Sequence, residues 1–173
     1  MKKHIGKIIT AVILVLIVGL LIWRFWPRSS SAIIPMDESA ITDYSATAMV
    51  GRFENGQSST DTYRVDNVDS KPGDPGALLK ILASSGYRPD FRNLLPWGIE
   101  SVSADRNYGN RTVLLYFYAH NSEEVITIHF LSPSIIAVNT NNESEMRIYH
   151  PTNRETLDSL VAYIQENGYA PLS

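Results

Sequence analysis

Apolar residues are spread unevenly along the chain. From Ile8 to Trp23 (IITAVILVLIVGLLIW) no charge interrupts the run, and Phe25 and Trp26 extend it. At the rise of an α-helix, residues 8–26 span roughly 28 Å, close to the hydrocarbon thickness of a bilayer. The run is apolar on every side, unlike a helix that shows one face to a soluble core. The pattern therefore predicts a transmembrane helix or signal anchor over 8–26, after a short cytoplasmic leader, residues 1–7. Trp23, Phe25 and Trp26 form the aromatic cluster expected at a membrane interface, and Arg24 can snorkel toward the headgroups. Lys2, Lys3 and Lys7 precede the run, whereas Arg24 and Arg28 follow it. With so short a leader, this bias favours an N-terminus inside and a C-terminal domain outside the cytoplasm, in a single-pass arrangement. The rival reading is a cleaved signal peptide. Ser30-Ser31-Ala32 supplies small residues at the required spacing, and cleavage after Ala32 would give a secreted protein. The length of the run and the bulky Trp-Arg-Phe-Trp-Pro after it favour retention.

Residues 27–40 (PRSSSAIIPMDESA) mix Pro, Ser and acids and read as an extended tether. Beyond it, residues 41–173 show the periods of a folded domain. Ile41 to Phe53 alternates as a long strand, Asn55-Gly56 marks a turn, and Thr60 to Asp66 is its hairpin partner. Asp74 then caps a helix with Pro75 in its first turn, Leu78, Ile81 and Leu82 on one face, and Gly86 at its end. Trp97–Ala104, Thr112–Ala119, Val125–Leu131, Ser134–Asn139 and Glu145–His150 read as strands of an antiparallel meander. Thr112–Ala119 (TVLLYFYA) is apolar on both faces, so it belongs near the sheet centre. Thr152-Asn153-Arg154-Glu155 matches a capping box, with Leu157, Leu160, Val161 and Ile164 lining the helix that follows. The expected fold class is α+β: an N-terminal transmembrane helix, then a two-layer domain with an antiparallel meander and two helices.

Composition narrows the function classes. The chain has 173 residues, 18 acidic against 15 basic, and a formal net charge of -3. Several basic residues flank the apolar run, so the domain is more acidic than the total. That argues against a nucleic-acid partner, which would want a basic face. The absence of cysteine excludes disulfides, thiol catalysis and thiolate metal sites.

Candidate chemistry is sparse. His120, His129 and His150 are the available metal donors of the domain, but a turn near Asn121–Glu124 would place His120 and His129 roughly 13 Å apart. His150 lies on a strand further over, so structural or surface histidines are expected, with no metal. No G-x-S-x-G is present. Ser84-Ser85-Gly86 falls at a helix end and Ser58-Ser59 in a polar turn, neither a nucleophile beside a base. Asp66 and Asp69 flank a solvated loop, Glu123-Glu124 a hairpin turn, and Glu100 an exposed strand position. The Asp66–Ser70 segment lacks the spacing and bidentate Glu of a calcium loop. No phosphate-binding glycine motif occurs, so no cofactor is expected.

What remains is aromatic surface. Residues Gly86–Gly98 (GYRPDFRNLLPWG) interleave aromatic and apolar groups with arginine, the residue types that anchor interfaces. Tyr87, Arg88, Phe91, Arg92, Trp97 and Tyr108 are the candidate binding residues. The plain alternative is that this connection packs over the end of the core. The expectation is a non-enzymatic, membrane-anchored extracytoplasmic domain. It would contact the bilayer through residues 8–26 and bind a partner, such as a protein, at the cell surface. An inhibitor or immunity-type protein against a surface or secreted toxin is one alternative, and would show an acidic exposed patch. A cell-envelope hydrolase is the other, and would show a cleft with a Ser, His or carboxylate cluster.

The layout combines the anchor, a strand hairpin, P-G-A-L-L-K-I-L on a helix, V-L-L-Y-F-Y and I-T-I-H-F-L strands, then M-R-I-Y-H and L-x-x-L-V-A-Y-I. Over roughly Ala48 to Ile164 it resembles the small cell-surface α+β domains of unknown function from Gram-positive bacteria. The resemblance implies an extracytoplasmic α+β domain and carries over no catalytic residue.

Overall fold

The computed structural model describes residues 2–54, 56–67, 74–94, 111–119, 124–140 and 146–169, with side chains from residue 7 onward. The long apolar run forms helix α1 (Lys2–Arg24). Its window Lys7–Arg24 has a mean hydropathy of 2.3, and none of it is buried against the rest of the protein.

The domain is α+β. Seven strands form one open, wholly antiparallel sheet: β1 (Ile41–Glu54), β2 (Gln57–Asp66), β3 (Tyr87–Pro89), β4 (Arg111–Ala119), β5 (Glu124–Ser132), β6 (Ile135–Thr140) and β7 (Arg147–Pro151). Their order is β2-β1-β4-β5-β6-β7-β3. β1 and β2 pair up to Glu54↔Gln57 across a two-residue turn. Gly56 takes φ +80 there, a conformation that glycine adopts without steric cost. β4 to β7 form the meander, with β4 near the centre as its two-sided apolar pattern predicts. The expected strand Trp97–Ala104 lies outside the described residues.

Helices α3 (Pro75–Ala83) and α4 (Glu155–Asn167) pack on one face of the sheet. Alternation along the strands sends Ala46, Ala48, Val113, Leu115, Phe117, Ile126, Ile128 and Phe130 into that layer. Leu78, Leu82, Leu157, Leu160 and Ile164 meet them from the helices, each at most 1 % exposed. The opposite face carries the half-buried alternates Thr47, Leu114, Tyr116, Tyr118, Thr127 and His129, with Tyr116 and Tyr118 stacked at 6.4 Å.

Three local expectations are corrected. Residues 27–40 are a packed element, not an extended tether. They hold a short helix, α2 (Ser30–Ile33), and a 3₁₀ turn (Glu38–Ala40). Ile33 and Ile34 are buried in the core, because two adjacent large aliphatics gain more from leaving water than a tether gains from freedom. Glu38 lies against Gly76 in the first turn of α3, where a Cβ would collide with its carboxylate; the negative charge suits that helix end. The capping box is not formed. The Thr152 hydroxyl accepts from Gly86 N–H at 2.9 Å, since Thr152 still lies along the strand edge and faces that backbone. Asn153 does the capping, its Oδ1 accepting from Glu155 N–H at 3.0 Å. Gly86 does not end α3, whose last cap is Ser84. Asp74 does cap α3, accepting from Gly76 N–H at 2.8 Å.

Candidate functional site

Tyr87 and Arg88 lie on β3, the edge strand beyond β7, with Phe91 and Arg92 in the turn that follows it. β3 is three residues long and has no hydrophobic period of its own. It pairs with β7 through Tyr87↔Pro151, Arg88↔His150 and Pro89↔Tyr149. Beyond Pro89 the ladder continues by other means. Asp90 N–H donates to the Ile148 carbonyl at 3.0 Å. The Asn93 side-chain amide then mimics a strand residue. Its Nδ2 donates to Ile148 O at 2.7 Å and its Oδ1 accepts from Ile148 N–H at 2.8 Å. Residues Phe91–Leu94 form a 3₁₀ turn on this base.

The structure separates the candidates. Tyr87 is not a surface residue. It is fully buried, and its hydroxyl donates to the Leu82 carbonyl at 2.8 Å. Burial pushes its phenol far above the usual range. Tyr87 therefore fastens β3 to α3, and the packing reading of this connection holds for it. Arg88 is exposed. Phe91 and Leu94 project into solvent at 64 % and 55 % exposure. Arg92 turns back toward Asp90, its Nη2 2.6 Å from Oδ2. Trp97 and Tyr108 lie outside the described residues.

Asp90 and His150 were missed as a pair by the sequence reading. Asp90 is buried and accepts from the Arg92 backbone and guanidinium at 2.7 and 2.6 Å. Its Oδ2 also lies 2.7 Å from Nε2 of His150. Burial alone would raise the Asp90 carboxyl; the hydrogen bonds from Arg92 and His150, with the Arg92 charge, outweigh it and hold the group at about 2. His150 Nδ1 lies 2.8 Å from the Ser134 carbonyl. Both ring nitrogens thus face oxygen atoms, one on each side of the ring. The only sequence hint was the Asp-x-Arg pair at 90–92. Its histidine partner arrives from 60 residues downstream.

This cluster contains a serine, a histidine and a carboxylate, the types a hydrolase would use. The connectivity differs from a nucleophilic site. The ring meets the Ser134 carbonyl, while the Ser134 hydroxyl is engaged with Ser132 at 3.2 Å. A base must reach the hydroxyl proton to activate it. His129 sits on β5, separated from β7 by β6, and burial lowers its pKa. His120 lies outside the described residues. Among the described residues, no three His, Asp or Glu side chains converge as a metal site would require.

An open concavity at the foot of α1 is lined by Gly19, Ile22, Trp23, Trp26, Pro27 and Arg28. Trp23 and Trp26 are 70 % and 65 % exposed, while Arg24 and Phe25 are half-buried.

Compared with protein-family models, curated proteins and solved structures, the chain matches none.

Proposed function

We propose that the protein is a single-pass membrane protein whose α+β domain lies outside the cytoplasm and binds at the cell surface without catalysing a reaction. One observation carries the reading. α1 is apolar on all sides and leaves its apolar surface wholly unburied, whereas the domain closes its own core beside it. In water that exposure is unfavourable by about 25 cal/mol for each Å², so α1 needs a bilayer as its solvent. The basic leader supports the orientation, and the aromatic foot at Trp23–Trp26 suits a membrane interface. The packing of Ile33 and Ile34 supports retention, because cleavage after Ala32 would leave a new charged terminus beside the core. The exposed Phe91, Leu94 and Arg88 on a braced turn offer an apolar and basic contact surface beside α1. The Gram-positive cell-surface domains that the layout resembles would have the same address.

Fractionation of cells expressing the full chain tests this reading. The protein should stay with membranes through an alkaline carbonate wash, leave them in detergent, and lose its domain to protease added from outside. Recovery as a soluble chain beginning at Ile33 would replace the anchor with a cleaved signal.

A further inference from the structure

The geometry at the foot of α1 suggests what the β3 turn touches. Four residues after α1 ends, Arg28 forms an antiparallel bridge with Tyr87, the first residue of β3. Arg28 N–H donates to the Tyr87 carbonyl at 2.9 Å, and Tyr87 N–H to the Arg28 carbonyl at 2.8 Å. Because the bridge is antiparallel, β3 leaves it heading toward, not away from, the side from which the chain came out of α1. The turn Phe91–Leu94 follows β3 in that direction.

The chemistry of that turn matches its direction. Phe91 and Leu94 are exposed at 64 % and 55 %, although Tyr87 and Pro89 just before them are buried. The turn is braced from beneath by the bonds of Asp90 to Arg92 and of Asn93 to Ile148, so its apolar tips are held out by structure. The segments 23–28 and 88–94 together carry Arg24, Arg28, Arg88 and Arg92 against one carboxylate, Asp90. That carboxylate is turned inward and neutralised by Arg92. Apolar tips beside a net basic surface are the combination that binds an anionic membrane interface.

We propose that the β3 turn is a second membrane contact: Phe91 and Leu94 seat in the interface of the bilayer that α1 enters, with Arg88 over anionic headgroups. The proposal rests on reading α1 as the anchor, and it commits the exposed turn to lipid rather than to a protein. It gives the domain one fixed tilt on the membrane, held at α1 and at the turn.

The chain has no cysteine, so single cysteines can carry an environment-sensitive fluorophore. Leu16→Cys in α1, Phe91→Cys, Leu94→Cys and Ser159→Cys on the exposed side of α4 are each reconstituted as the full chain. The vesicles contain phosphatidylcholine and phosphatidylglycerol, with a quencher attached to the lipid. Labels at 16, 91 and 94 should shift to the blue and lose emission to the quencher, while the label at 159 should not. If 16 is quenched but 91 and 94 behave like 159, the turn contact is overturned and the anchor stands. If 16 escapes quenching, the anchor reading fails and takes the turn contact with it.

Discussion

Asp90 and His150 stand 60 residues apart in the chain, yet Oδ2 of one lies 2.7 Å from Nε2 of the other. The contact joins the turn after β3 to the last strand of the meander. With Arg92 on its other side, the Asp90 carboxylate is the electrostatic centre of the β3 edge.

Stability should therefore depend on acid. The Asp90 carboxyl sits at about 2, below its ordinary 3.8. A lowered carboxyl contributes fully above the unfolded value and loses the contribution as pH falls through the folded one. The contribution is about 2 kcal/mol above pH 4, gone below about pH 2. Urea melts at stepped pH should show this loss in the native chain and its absence in Asp90→Asn.

Asn93 completes the β3–β7 ladder with a side chain. Asn93→Ala strands the Ile148 N–H, while the Ile148 carbonyl keeps its bond from Asp90 N–H, and should cost about 1 kcal/mol. Denaturant titration gives the magnitude. Faster amide exchange at Ile148, with the central strand β4 unchanged, would localise it.

Ile33 distinguishes a packed segment from a tether. Ile33→Ala should destabilise the domain by about 3 kcal/mol, as for a buried aliphatic. A free tether would give no change. Calorimetry of the full chain in detergent decides between them.

Gly168 permits a close approach. A Cβ there would meet the Ile164 carbonyl and, at 2.6 Å, the Arg64 carbonyl. Both are backbone atoms that cannot swing aside. Gly168→Ala should cost about 2 kcal/mol and break the bridge between Arg64 and Tyr169. Exchange of the Arg64 and Tyr169 amides should rise together.

The surface ion pair of Arg111 and Asp158 offers a contrast. Both partners are more than half exposed. Asp158→Asn should leave the melting temperature nearly unchanged, because solvent screens such pairs.

Much of the framework was legible in the chain because it depends on local period. The helix α1 shows as an unbroken apolar run, the β1–β2 hairpin as alternation around the turn at Gly56, β4 to β7 as short apolar runs between turn signals, and the Leu157–Ile164 face of α4 as helical spacing. The Asp74 cap is local too, its acceptor and donor two residues apart. The candidate site was legible only in part. Aromatic and arginine density singled out residues 86–98. It could not say that Tyr87 points inward and Phe91 outward, since three residues of edge strand have no period to read.

What the sequence determined by itself was the division into an apolar helix and an α+β domain, and the facing of each long element. Those follow from neighbours along the chain. The tertiary structure alone decided that β1 lies beside β4, that β3 closes the far edge beside β7, and that residues 27–40 enter the core. It also decided that Asp90, Arg92 and His150 meet. These depend on unpaired backbone groups and buried surface finding partners tens of residues away. The Arg28–Tyr87 bridge is the sharpest case. Two unremarkable positions in the sequence become the joint between α1 and the edge of the sheet.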